Sequence, residues 1–156
     1  MTTPEIETYS QYIREKIADI HSALGGLTED ELNQAPDLPG ANSPFVIASH
    51  TYGNIRAGVL GIVCGQHVVR DRPAEFAARG NHEELAVAAH ELSGEVGAAL
   101  KGLDPDTLDD RFVPSQNQWG EGEPPEFTRR SELVHVIEHA GIHLGHIHMT
   151  VGILKR

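Results

Sequence analysis

Apolar residues recur along this chain at three- and four-residue steps in four long blocks, the spacing that lines one face of an α-helix. In the first block the stripe is Ile6, Tyr9, Ile13, Ile17, Ile20 and Leu24. Pro4 suits a first helical position, where its missing N–H is not needed. Gly25-Gly26 end the helix, because glycine is free to take the left-handed cap conformation. Thr28 and Glu31 then have capping-box spacing for a short helical turn, with Leu27 and Leu32 placed as a hydrophobic staple. Pro36, Pro39 and Gly40 break that turn. Ser43-Pro44 opens the second long helix as N-cap and first residue. This helix runs to about Cys64, with Gly65 at its stop.

Residues 66–80 form a connection with a short helix around Ala74–Arg79. Asn81 and Glu84 cap a third helix striped by Leu85, Ala88, Leu92, Val96 and Ala99. Residues 102–127 carry four prolines and Trp119 and form the longest irregular segment, the kind of connection that tends to be functional. A short strand near Arg111–Val113 is the one β signal. The last helix begins near Thr128 and runs almost to the C-terminus. With no repeat and no linker composition, the expectation is one all-α domain over residues 1–156, a four-helix bundle.

Composition narrows the function classes. Lys+Arg is 12 against Asp+Glu 23, a net charge of −11, which argues against a nucleic-acid groove or an anionic membrane patch. No apolar run reaches the ~18 residues of a bilayer span. One cysteine, Cys64, excludes an internal disulfide and fits a reducing compartment. The start, MTTPEIETYSQ, has no basic region followed by an apolar one, so a cytoplasmic protein is expected. Cys64 ends an apolar helix and reads as buried filler, with nothing nearby to activate a thiolate.

Histidine is the unusual residue: there are ten, and five fall within 135–148. At about 100° per residue, with His135 at zero, His146 lies near 20°, His139 near 40° and His143 near 80°. The apolar residues of that helix centre near 150°, so four histidines form a strip along one margin of the core face, and His148 falls elsewhere, near 220°. His139 and His143, at i and i+4, stack on one face and can grip one metal ion. His50, in the second helix, projects with Ile47, Asn54, Ala57 and Gly61, and the alanine and glycine leave volume beside it. Alone, His50 also reads as a neutral core histidine bonded to Asn54 or a water. Together, three imidazoles from two helices leave open positions for water or substrate, as catalytic metal sites do. His21, His67, His82, His90 and His148 read as surface residues. His135-Val-Ile-Glu138-His139 also spells the inverted zinc-protease signature, with Glu138 as base. That pair lies further from the core, and no acidic residue follows His139 to complete such a site.

Three stretches resemble the DinB-like superfamily, specifically relatives of the mycothiol-dependent maleylpyruvate isomerases and thiol transferases. They are LTEDELNQAP followed by NSPFVIASHTYGN, then VCGQHVVRDRPAEF, then LVHVIEHAGIHLGHI. The resemblance covers the chain from about residue 27 to its end, apart from 102–127. It implies an up-down-down-up four-helix bundle, often a homodimer, and a divalent metal (zinc, nickel or iron) on His50, His139 and His143. In the isomerase branch the first of the last-helix pair is often glutamate. His139 makes an all-histidine set, which weighs against carrying over the isomerase activity itself.

The resulting expectation is a metal-dependent enzyme that activates water or a low-molecular-weight thiol such as mycothiol or bacillithiol, acting on a small molecule. Asn54 and His146 are expected behind the ligands. Arg70 and Arg72 are placed to hold a carboxylate on substrate or thiol, or more simply to pair with Asp71 and Glu75. Trp119 is placed to cover the site, or simply to pack. Few acids are expected nearby, Glu138 being the nearest. A non-catalytic metal-binding or stress-response protein and a small-molecule metallohydrolase remain as rivals.

Overall fold

The computed structural model describes residues 2–119 and 122–156, so residues 120 and 121 of the long connection lie outside the described residues. Helix α1 spans Pro4–Leu24, α2 Glu29–Leu32, α3 Pro44–Ile55, α4 Arg72–Ala77, α5 His82–Lys101 and α6 Arg129–Leu154. Two short strands, β1 (Arg111–Phe112) and β2 (Phe127–Thr128), pair antiparallel and fasten the long connection to the start of α6.

Local chemistry sets most of these boundaries. Thr3, Thr28, Ser43, Asn81 and Thr128 each accept a hydrogen bond from a first-turn N–H of the helix that follows, an interaction worth about 1 kcal/mol each. Gly65, at the end of the second long helix, takes φ +67°, as a glycine stop should. Gly25 does not: it keeps a right-handed φ of −62°, and α1 ends without the expected left-handed cap. Its N–H bonds Ser22 O in a tightened last turn instead.

The second long helix departs from expectation in its interior. Beyond Ile55 it continues as a π-helix over Arg56–Val63, and the Cys64 N–H donates to Val59 O, five residues back. Such widened turns are rare and tend to sit at functional sites. Here the widened turns carry Ala57, Gly58 and Ile62 along the wall of a recess described below.

Pairs between helix ends fix the topology. Thr2 Oγ1 donates to Lys101 O, so α1 runs antiparallel to α5. Glu5 pairs with Arg130, and Glu31 with Lys155 at 2.8 Å, so α1 and α6 run parallel. Arg129 Nε donates to Val63 O at 2.9 Å, joining the end of the second helix to the start of α6. Arg56 pairs with Glu95, and Phe45 packs at Gly80, so α3 and α5 run in the same direction. This is the up-down-down-up order. Helices α1 and α3 each pack between α5 and α6.

The core is aliphatic. Ile6, Ile13, Ile17, Ile20 and Leu24 of α1 are buried, as their spacing predicts, and Tyr9 is half-buried against them. On α5 the buried line is Leu85, Ala89, Leu92, Val96 and Leu100, with Ala88 and Ala99 only packed on its margin. His82 is no bystander: its Nε2 meets Leu27 O at 2.7 Å and ties α5 to the end of α1.

Gly58 marks the closest approach of the second helix to α6. A Cβ there would stand 2.5 Å from Val136 Cγ2 and 2.9 Å from Glu132 Oε1. Gly58→Ala is expected to cost about 1–3 kcal/mol by overpacking, read by urea denaturation. Gly94→Ala, on an exposed stretch of α5 with open space around it, should be neutral or stabilise by up to about 1 kcal/mol. Equal effects of the two substitutions would contradict the tight crossing.

Candidate metal centre

His50, His139 and His143 converge. Each offers one ring nitrogen, and these nitrogens lie within 4.8 Å of one another. His139 Nε2 and His143 Nε2 are 3.2 Å apart. Two ligands at ordinary metal–imidazole bond lengths, separated by a tetrahedral angle, stand about 3.3 Å apart, so the pair already has the spacing of a shared ion. Two like-poled ring nitrogens facing each other also need a cation or a single proton between them. Burial, and then the neighbouring histidines, lower the His139 pKa to about 3 and the His143 pKa to about 4. Both rings are therefore neutral at physiological pH, the form that binds metal.

His50 is oriented from behind. Its Nδ1–H donates to Glu75 Oε2 at 3.0 Å, which leaves Nε2 as the free nitrogen. Arg70 grips the same carboxylate with two bonds, Nε to Oε1 at 2.8 Å and Nη2 to Oε2 at 3.0 Å. The Glu75 and Arg70 side chains are only 11% and 8% exposed, so this is an enclosed carboxylate–histidine unit of the kind that backs metal ligands. Burial opposes ionisation of Glu75, but the hydrogen bonds from His50 and Arg70 and the Arg70 charge outweigh it and hold its pKa below the ordinary value. Gly53 makes the approach possible: a Cβ there would overlap the Glu75 carboxyl group.

The other expected neighbours separate. His146 Nδ1 lies 3.3 Å from His143 Nδ1 and can accept its proton, although His146 is exposed. Asn54 makes no bond to His50, and its Oδ1 is buried without a partner. Arg70 spends its fork on Glu75, whereas Arg72 lies over the Phe76 ring at 5.8 Å and makes no ion pair among the described residues. Trp119 packs against Phe127 at 5.1 Å and lines the recess beside the triad. Glu138 is exposed, so the inverted protease reading loses its base. Cys64 is half-buried, and burial raises its thiol pKa to about 11, in keeping with an inert filler.

The recess has a volume of about 340 Å³ and is bounded by His50 and His139, Asn54, Arg72, Trp119 and Glu132, among others. Glu132 was not anticipated. It is 2% exposed, its Oε2 has no partner, and burial raises its pKa to about 7. The helical wheel contained the signal: Glu132 falls near 60°, inside the histidine strip, and Glu138 near 300°. Glu75 is thus the acid that contacts the triad, and Glu132 is an acid of the adjoining recess. Among the described residues three buried side-chain polar atoms lack partners, Asn54 Oδ1, Glu132 Oε2 and His139 Nδ1, and all belong to residues of this recess. Three convergent imidazoles beside unpaired polar groups fit a borderline divalent metal such as zinc, nickel or iron.

The described helices include none long and apolar enough to cross a membrane. A family model described as the DinB superfamily matches residues 12–147. Among solved structures, the chain is similar to YfiT from Bacillus subtilis, described as a probable metal-dependent hydrolase with an unusual four-helix bundle topology. The TM-score is 0.70 at 15% identity, over 96% of this chain and 88% of that one. It is also similar to a histidine-to-alanine variant of the mycothiol-dependent maleylpyruvate isomerase, with a TM-score of 0.63 at 17% identity. That match covers 92% of this chain and 62% of the isomerase, whose remaining length has no counterpart here. No curated protein matches the sequence.

The titrations give a signed prediction for the metal-free protein. His139 and His143 take up protons more readily when unfolded, so stability falls as pH drops from about 6.5 towards their folded values of about 3 and about 4. Glu75, with its lowered pKa, adds loss in acid. Glu132 has the opposite sign: its contribution is present below about 4.5 and is lost as pH rises through about 7. Thermal melts in chelator should therefore show lower stability at about pH 5 than at about pH 7. Glu132→Gln should raise the melting temperature more at about pH 8 than at about pH 5, and a gain independent of pH would contradict the raised pKa.

Proposed function

The chain belongs to the DinB superfamily, and from that premise we propose that it is a metal-dependent enzyme activating water or a low-molecular-weight thiol for transfer to a small molecule. The observation that carries this reading is the convergence of three ring nitrogens, from two helices distant in sequence, two of whose residues, His50 and His139, line a recess. His50, His139 and His143 would hold the ion. A divalent metal there would supply Lewis acidity and make water or a thiol nucleophilic at neutral pH.

The protein's own residues supply the rest. Glu75 fixes the tautomer of His50, and Arg70 fixes Glu75. His146 stands to accept the Nδ1 proton of His143. Arg72 has no carboxylate partner among the described residues and borders the recess, so it is the residue placed to hold a carboxylate on substrate or thiol. Trp119 borders the same space.

Two acceptors compete for the activated nucleophile. The likeness to the mycothiol-dependent isomerase supports a thiol such as mycothiol or bacillithiol, and the likeness to YfiT supports hydrolysis. A non-catalytic metal-binding role is the reading that absence of turnover would favour.

Protein purified without an affinity tag and loaded with zinc, nickel or iron should hold close to one ion per chain by elemental analysis, and His143→Ala should lose it. Unchanged content in His143→Ala would overturn the site. Glu75→Gln should keep the fold but weaken metal binding by about 10–100-fold. Loaded protein is then screened for conjugation with mycothiol, bacillithiol and glutathione. No turnover at full loading would remove the thiol branch.

A further inference from the structure

Helix α6 is apolar on a side that no other described element covers. Over positions 139–154 it carries no aspartate, glutamate, lysine or arginine, in a chain of net charge −11. With His135 at zero, Gly141, Val134, Gly152, Gly145, Met149 and Ile142 fall between about 240° and 340°, away from the core sector near 150°. Val134, Ile142 and Met149 are 52%, 53% and 68% exposed. A surface helix ordinarily places charge on such a side, as α1 does with Glu7, Arg14, Glu15 and Asp19. The exposed large apolar residues elsewhere, such as Tyr12, Phe76 and Val87, stand singly on other elements, which is ordinary.

The glycines of this face have no use inside the chain. A Cβ at Gly53 or Gly58 would overlap a neighbouring side chain, but one at Gly141, Gly145 or Gly152 would meet nothing within 4 Å. Glycine in a helix interior is destabilising relative to alanine. Small residues four apart, as Gly141 and Gly145 are, let two helix backbones approach closely where they cross.

The pattern of the face matches a second copy of itself. Two α6 helices laid antiparallel about a two-fold axis at position 143 bring Val134 level with Gly152 of the second copy, Glu138 with His148, and Gly141 with Gly145. A branched side chain then comes beside an open glycine, an exposed acid beside an exposed imidazole, and the backbones cross where neither has a side chain. A parallel pair would instead set Glu138 beside Glu138 and Val134 beside Val134. Arg130 comes level with Arg156, but Glu5 and Asp109 already hold Arg130. Net charge of this size keeps copies apart, so an uncharged strip is where two of them approach at least cost.

We propose that the outer face of α6 is the surface through which two copies of this chain form an antiparallel, two-fold dimer, with Gly141 and Gly145 at the crossing. The homodimer expected from the family resemblance named no surface; the face and its direction come from α6 alone. The contact is isologous, each pair of residues meeting twice. It runs over positions 134–152, about 27 Å of helix at 1.5 Å per residue. Burial of Val134, Ile142 and Met149 supplies the apolar gain, and Glu138 with His148 sets the direction. Nothing in it depends on whether the triad holds a metal.

Sedimentation velocity of the full-length, tag-free, metal-free chain from about 1 μM to about 200 μM should show a species of twice the 17.0 kDa chain mass. Gly145→Gln has open room in a single chain but fills the crossing, so it should fold as well as the wild type and raise the dimer Kd by roughly 10-fold or more. Gly94→Ala, equally open but on α5, should leave the Kd unchanged. Glu138→Lys and His148→Glu should each weaken the dimer, and the double variant should regain most of the loss. A wild type that stays monomeric across this range overturns the proposal and leaves the face to a different protein. A Gly145→Gln chain that dimerises like the wild type overturns it as well, by placing the contact elsewhere. A double variant that regains nothing overturns the antiparallel direction and the proposal with it. All four positions are exposed in the single chain, and circular dichroism of each variant checks that its fold is kept.

Discussion

The site depends on a single carboxylate. Glu75 offers one oxygen to Arg70 and shares the other between Arg70 and His50. Through it the connection after the second helix is pinned against α3, and the ring of His50 is fixed in both orientation and tautomer. Removing one partner of an enclosed pair leaves an uncompensated charge, which is worth several kcal/mol. Gly53 belongs to the same unit, because any side chain there would occupy the space the carboxylate needs. Without this arrangement His139 and His143 would still face each other on α6, but their third partner would lack a reason to point at them.

A second constraint comes from burial. The chain carries a net charge of −11, yet the groups around the recess favour their neutral forms. Burial lowers the pKa of His139 and His143 and raises that of Glu132. Desolvation thus acts in opposite directions on bases and acids, and in both cases it favours the neutral form. The widened π turns of Arg56–Val63 fit this picture: they bring Ala57, Gly58 and Ile62 to the wall and leave the volume in which these groups act.

The two glycine approaches explain how a bundle with an ordinary aliphatic core accommodates such a pocket. At Gly53 the second helix admits Glu75 from the connection, and at Gly58 it admits Glu132 from α6. Both carboxyl groups therefore enter through positions on one helix where no side chain stands.

The amphipathic stripes, the capping residues and the i, i+4 histidine pair were legible in the residue order, because each is a relation between neighbours a few positions apart. Thr28 with Glu31, Ser43 with Pro44, and Asn81 with Glu84 set their helices as read, and His139 and His143 meet as their spacing requires. Other features were not legible. Gly25 stayed right-handed and bonded back to Ser22 O, and the residues of Arg56–Val63 carry no local motif that announces π turns. Glu75 reaches His50 across 25 positions. Glu132 stood in the right sector of its helix, but its character comes from the absence of any partner. Propensity and periodicity act over a turn or two and are written in the order of residues. Which carboxylate is paired, and which is left buried and alone, depends on the meeting of distant segments, and that is fixed only when the helices pack.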